Sequence, residues 1–369
     1  MTHQRSGVAR TVLGLAAALA VALAGAGRAD AAEGDRRLVL VTLDGLSWTD
    51  VFRGADPERA ADPAFVTERK AIADQFLAPA DRAQALMPFL HGVMARQGVL
   101  IGDRDHGSCV AVANDKWFSY PGYNEILTGR PDPAITSNEH GPNANVTFLE
   151  WLNRRPAFKG RVEAVASWDA FNDILNARRS GLPVNAGWDG GEAQAPDDPI
   201  AKLQADAPRI WLSARLDGFT QAWAMEALHE RKPEVLFVAF DETDDFAHDG
   251  HYDQVLWAAH RADGFLARIW AALQTDPAYA GRTDLIVTTD HGRGTVGKAG
   301  WRGHGKPIYV GSDATWIAAI GPDVKPGARP AGDCATSGQI AATALTALGL
   351  DWKAFDPAAA PPLDILKGK

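Results

Sequence analysis

Leu285-Ile286-Val287-Thr288-Thr289-Asp290-His291-Gly292 decides the fold. A short apolar, β-branched run reads as a strand buried on both faces, as in a parallel sheet. It stops on a carboxylate, an imidazole and a turn residue, and open α/β sheets present their ligands at the carboxyl ends of strands. Two other runs end the same way. Leu38-Val39-Leu40-Val41-Thr42-Leu43 stops at Asp44-Gly45, and Val235-Leu236-Phe237-Val238-Ala239-Phe240 runs into Asp241-Glu242-Thr243-Asp244-Asp245-Phe246-Ala247-His248. Taken singly, Asp44 is a turn residue and the acidic run a solvated loop. Together, three strand ends with oxygen and nitrogen donors imply one shared metal centre.

Working outward, further strands are expected at Val99–Gly102, Arg161–Ala166 and Trp316–Ile320. Helices are expected at Val146–Leu152, Ile210–Arg231, Asp253–Gln274 and Ser337–Leu348, the last stopped by Gly349. This alternation predicts an α/β fold: a mostly parallel central sheet with helices on both faces. Leu182–Pro199, rich in Gly, Pro and Asp, reads as an excursion from the sheet. No internal repeat and no domain boundary stand out. The expectation is a single catalytic domain over 32–369 with a loop insertion at about 180–200.

The first 31 residues read differently. Arg5 and Arg10 precede an Ala/Leu/Val-rich run, and Ala29-Asp30-Ala31 supplies small residues for cleavage, the pattern of a secretory signal peptide. The expected product is periplasmic or secreted, with no membrane span once 1–31 are removed. The net charge of −9, −11 without residues 1–31, argues against a nucleic-acid polymer as partner. It does not exclude a small anionic substrate, because bound cations reverse the local field. Cys109 and Cys334 are the two cysteines. In an oxidising compartment pairing is favoured over two separate thiols, although sequence supplies no geometry for it.

The ligand candidates are Asp44, Asp244, His248, Asp290, His291 and His304. Asp and His together suit a borderline divalent ion, zinc or manganese. Asp244 and His248, four apart, share a face if helical. His304 lies between Gly303 and Gly305, which permit close backbone approach. The nucleophile candidate is Ser119 in Phe118-Ser119-Tyr120-Pro121-Gly122-Tyr123-Asn124, ahead of a short helix that stops at Gly129. Alone, Ser119 reads as an ordinary N-cap.

In order and spacing these elements resemble the alkaline phosphatase superfamily, in its type I phosphodiesterase/nucleotide pyrophosphatase-like, sulfatase-related branch. The resemblance runs from Leu38 to about Leu350. It implies an alkaline phosphatase-like fold and two divalent ions, one held by Asp44, Asp290, His291 and Ser119, the other by Asp244, His248 and His304. It also implies hydrolysis of a small-molecule phosphate ester, mono- or diester, through a phosphoseryl intermediate on Ser119.

The chain departs from the pattern in places. Gly122 stands where the branch often carries an Asn that donates to phosphate, and Asn124, two residues on, is the expected substrate-binding amide. No Lys-x-Arg pair of the monoesterase kind is evident. Asp169 and Asn172 either face the site or cap the helix that follows. Against a sulfatase, Tyr123 replaces the Arg needed for formylglycine formation and Gly45 replaces a second Asp. A sulfuric ester hydrolase is therefore the alternative within the fold, and a non-catalytic exported metal- or ligand-binding protein the alternative outside it.

Overall fold

The computed structural model describes residues 35–189, 198–329 and 334–368. Residues 1–31, read above as a signal peptide, lie outside the described residues. Among the described residues no helix is long and apolar enough to cross a membrane.

Among the described residues ten strands occur in chain order: β1 Arg37–Leu43, β2 Val99–Ile101, β3 Val110–Ala111, β4 Val162–Ala166, β5 Val184–Ala186, β6 Val235–Phe240, β7 Thr283–Thr288, β8 Ala314–Thr315, β9 Ile317–Ile320 and β10 Ala335–Thr336. Seven form the main sheet in the order β2-β9-β7-β1-β6-β4-β5. β7, β1, β6, β4 and β5 run parallel, and β9 is reversed against β7 and β2. A small sheet has the order β10-β3-β8.

The apolar runs at the sheet centre are continuous because both faces are covered. Val39, Val41 and Leu43 of β1 pack into one core with the long helix Tyr252–Thr275. Leu38 and Leu40 point the other way, toward the helices Ser119–Thr128 and Gln339–Ala347. The two-residue side-chain period thus divides one strand between two cores.

Two expectations are corrected. The helix read as Ile210–Arg231 begins only at Asp217, running to Glu226 and ending in a π turn, Ala227–Arg231. The residues before it are drawn off into pairing with the end of β4: Ala214 bridges Trp168, Asp169 N donates to Ser213 O and Arg215 N to Ser167 O. Leu182–Pro199 is not wholly an excursion, since Val184–Ala186 is edge strand β5, parallel to β4. Residues 190–197 lie outside the described residues.

Cys109 and Cys334 are disulfide-bonded across 225 residues of sequence, fastening β10 beside β3. In the chain-entropy account a loop of that size is worth about 5.4 kcal/mol. Reduction, or Cys109→Ser, is expected to lower the unfolding free energy in urea by an amount of that order. An unchanged midpoint with unchanged slope would remove the tie from the list of stabilising features.

Asp263, in the middle of Tyr252–Thr275, accepts from Phe89 N (2.7 Å) and Leu90 N (2.8 Å) and so caps the turn that opens there. Burial pushes its carboxyl up to about 6, against the pull of those two amides. A raised acid favours folding while protonated, so this contribution is complete below about pH 4 and lost as pH rises through about 6. Two pH units correspond to about 3 kcal/mol. Wild type is expected to lose up to that much stability relative to Asp263→Asn between pH 4 and 7. Denaturation curves at several pH values check this, and a pH-independent difference would refute it.

Candidate active site

The central strands β7, β1 and β6 lie side by side, and each delivers ligands at its carboxyl end. β1 closes on Asp44, whose N–H still donates to Phe240 O (3.0 Å), and the chain turns at Gly45 with φ +57°. β6 leads into the helix Glu242–Asp249, which sets Asp244 and His248 one turn apart and ends at Gly250 in the left-handed region. β7 leads into Asp290 and His291, and the exit is fixed by Gly292 N donating to Ser312 O (2.8 Å). His304 arrives on the loop after the short 3₁₀ turn Gly300–Arg302.

Around His291 Nε2 stand Ser119 Oγ at 3.2 Å, Asp44 Oδ1 at 3.3 Å, Asp290 Oδ2 at 3.5 Å and Asp244 Oδ1 at 3.6 Å. His291 Nδ1 donates to Gly292 O (2.9 Å), which leaves Nε2 as the ligand atom. Asp244 Oδ2 lies 3.0 Å from His248 Nε2, and that nitrogen lies 2.9 Å from His304 Nε2. The donor atoms of Asp44, Asp290 and His291 cluster within 4.8 Å, as do those of Asp244, His291 and His304. The structure therefore brings all six expected ligands together with Ser119, and His291 sits between the two sets.

The unsatisfied atoms say what the clusters are for. Asp44 Oδ1, Asp290 Oδ2 and His304 Nδ1 are buried without a hydrogen-bond partner. The other oxygen of each carboxylate is occupied: Tyr123 OH donates to Asp44 Oδ2 (2.9 Å) and Gly45 N to Asp290 Oδ1 (3.0 Å). One oxygen is held and one is left open beside His291, which is how a carboxylate is prepared for a cation. Burial also pushes the carboxyls of Asp44 and Asp290 well up, Asp244 adding to the rise at Asp44 and Asp44 to that at Asp290. For Asp244 burial again acts upward, but Arg293, His304 and His248 outweigh it and hold the carboxyl well below its usual range. Burial, then the neighbouring His291, pushes His304 down, toward the neutral form that ligates metals. The donor set and its open atoms fit two divalent cations.

Ser119 begins the helix Ser119–Thr128, which passes so close to β7 that a Cβ on Gly122 would lie 2.4 Å from Asp290 O. The missing Asn at 122 is thus a packing requirement, since no side chain fits there. Asn124 is a correction. It is fully buried on the far side of that helix, accepting from Asn143 Nδ2 (3.2 Å) and Asn145 Nδ2 (3.1 Å) and donating to Arg130 O (3.2 Å). The amide at the site is that of Asn138, which helps to line a cavity of about 400 Å³ with Ser119, Trp168, Ser213, Asp241, Asp245 and His304. Neither Asp169 nor Asn172 is among its lining residues; Asn172 Nδ2 instead donates to Asp169 O (2.9 Å).

Three supporting groups escaped the sequence reading. Tyr123 was noted only as a lost Arg, yet one helical turn from Ser119 it reaches Asp44. Thr243 Oγ1 donates to Asp44 O (2.5 Å). Arg293, buried directly after the Asp290-His291-Gly292 motif, ion-pairs with Asp244. The adjacency of Arg293 to that motif was the one available signal.

Comparison with known proteins bears on the fold and on one segment of the chain. Residues 147–302 match the family described as Type I phosphodiesterase / nucleotide pyrophosphatase. That span holds Asp244, His248, Asp290 and His291, with Asp44, Ser119 and His304 outside it. No curated protein matches the chain in sequence. Among solved structures it is similar to an alkaline phosphatase superfamily protein from Vibrio parahaemolyticus, at 14% identity and a TM-score of 0.50, with 85% of this chain and 66% of that one covered. A sulfatase candidate from Bacteroides thetaiotaomicron aligns at 13% identity and a TM-score of 0.54, covering 86% and 71%. The lipoteichoic acid synthase LtaP from Listeria monocytogenes aligns at 10% identity and a TM-score of 0.51, covering 87% and 73%. The chain thus spans 66–73% of the length of these structures, just under two thirds in the first. The protein has the alkaline phosphatase superfamily fold, and its residues 147–302 carry the type I phosphodiesterase / nucleotide pyrophosphatase match.

Proposed function

We propose that the protein is an exported two-metal hydrolase of small phosphate esters, working through a phosphoseryl intermediate on Ser119. The observation that carries this reading is the convergence of Ser119 Oγ, Asp44 Oδ1 and Asp290 Oδ2 on His291 Nε2 within 3.5 Å, with both carboxylate oxygens otherwise unpartnered. The matched family segment supports a phosphoester or sulfate-ester hydrolase. Tyr123, turned into Asp44, supports phosphoryl over sulfuryl transfer, because an Arg needed for formylglycine formation has no place there.

Asp44, Asp290, His291 and Ser119 would hold one cation, and Asp244, His248 and His304 the other; zinc suits this donor set, and manganese is the second choice. Bound there, divalent ions lower the pKa of a coordinated hydroxyl and offset the charge of a phosphoryl group. The chain does the rest. Ser119 Oγ gives up its proton to solvent and attacks phosphorus in line; the bond from phosphorus to the ester oxygen breaks, and that oxygen takes up a proton and leaves as the alcohol. Water then cleaves the Ser119 O–P bond, restoring the serine hydroxyl and releasing phosphate from a monoester or a phosphomonoester from a diester. The helix start fixes the approach of Ser119, and Tyr123 and Gly45 N keep Asp44 and Asp290 from rotating. Trp168, Ser213 and Asn138 wall the cavity in which the organic group would sit. The disulfide supports export, since such bonds persist in oxidising compartments.

Ser119→Ala is expected to abolish turnover of nitrophenyl phosphate mono- and diesters, by about 10³-fold or more, while elemental analysis still finds bound metal. Retained turnover would exclude the phosphoseryl route. Elemental analysis of the wild type should give about two zinc or manganese ions per chain, and chelation should remove activity. A panel of mono-, di- and sulfate esters with one leaving group checks the substrate class. No metal after reconstitution and no ester turnover would leave the non-catalytic binding protein as the surviving reading.

A further inference from the structure

Arg293 is a buried cation at the site that the proposed chemistry does not use. Its side chain is 4% exposed, and its donors reach three segments. Nε donates to Gly45 O (3.1 Å), Nη1 to Arg302 O (3.4 Å), and Nη2 to Asp244 Oδ1 in a close ion pair. The guanidinium lies in a cradle that only glycine leaves open: a Cβ on Gly45 would stand 2.6 Å from Nη2 and 2.5 Å from Asp244 Oδ1.

The arrangement is related to a device already seen twice, but at Asp244 both oxygens are engaged, and Oδ1 also lies 3.6 Å from His291 Nε2 and from His304 Nε2. Asp44 has one oxygen held by Tyr123 and Asp290 has one held by Gly45 N, each presenting the other toward His291. In Asp244, Arg293 takes Oδ1, and Oδ2 faces His248 Nε2 at 3.0 Å. The bonds to Gly45 O and Arg302 O extend the hold. Gly45 follows the first-set ligand Asp44, and Arg302 is two residues before the second-set ligand His304.

We propose that Arg293 is the positioning residue of the second cation site, a cross-brace that orients Asp244 and sets the spacing between the two ligand sets. The proposal rests on the two-cation reading above. A simple neutralising ion pair would need only a positive charge. A brace needs the planar fork with donors on three sides, which lysine cannot supply.

The test is zinc binding, measured by competition with a chromophoric chelator, on wild type, Arg293→Lys and Arg293→Met, with melting temperature recorded for each. The Asp290→Asn background, which disables the first set, reports the second site alone. Wild type should bind two ions. Arg293→Lys should fold and keep the first ion, but bind the second about 10- to 100-fold more weakly, the usual cost of losing an outer-shell partner. Arg293→Met should do the same or worse, and if it does not fold, the lysine variant carries the discrimination. Two ions held by Arg293→Lys within about 2-fold of wild type would overturn the brace. Equal weakening at both sites would overturn its assignment to Asp244. A wild-type chain that binds no ion would instead sink the two-cation reading itself.

Discussion

Crowded carboxylates govern this molecule. Asp44, Asp244 and Asp290 end or follow three adjacent strands, and all are buried around one imidazole. Two carboxylates about 4 Å apart repel by about 4 kcal/mol even at an effective dielectric of 20, and burial adds its own cost to each. A fold tolerates such a cluster by protonating some of its carboxyls, as the upward push on Asp44 and Asp290 shows, or by binding cations. Within the chain Arg293 acts most closely on Asp244, helped there by His304 and His248, and more weakly on Asp44. The remaining charge is left to be balanced by whatever the open oxygens bind, so fold and ligand are linked through one electrostatic deficit.

The surrounding backbone follows from that constraint. Asp44 and Asp290 each have one oxygen fixed and one open, Asp244 has both engaged, and the fixing donors come from different places: a phenol on the helix Ser119–Thr128, a turn amide and a guanidinium. To bring them in, the chain gives up side chains at the contacts. Gly45 leaves room for Arg293, Gly122 lets the nucleophile helix touch Asp290 O, and Gly292 lies where a Cβ would be 2.2 Å from Ala314 O. Buried Glu125 holds the other end of the approach, accepting from Ala113 N, Asn114 N and Gly338 N, and so steadies the segment that leads to Ser119.

The strand ends were legible because an apolar run that stops on Asp or Asp-His is a local signal; four of the six expected ligands carry it or sit beside glycine, and Asp244 and His248 follow in the acidic run after β6. What failed depended on phase and on distant pairing. Ser119 and Tyr123 are four apart and share a helix face, whereas Asn124, one further, is rotated by about 100° and turned away. Its nearness in sequence to the serine was misleading. The residues from Ile210 to Leu216 have helical periodicity but are claimed by the end of β4, a partner no local pattern reveals. Arg293 and Thr243 act on ligands contributed by other segments, so their roles exist only once the strands are assembled.

The glycine at 122 also divides responsibilities within the site. Because nothing larger fits between the nucleophile helix and Asp290, that helix can present a hydroxyl but has no room there for a group that reads the substrate. Recognition is displaced onto the walls, among them Asn138, whose Oδ1 already accepts from Tyr120 N (2.9 Å), and the Trp168–Ser213 side. These lie in connecting segments outside the main sheet. On the proposed reading the reacting centre would thereby be insulated from changes in what it acts upon: loops could be rewritten for a new ester while Ser119 and its neighbours stay where they are.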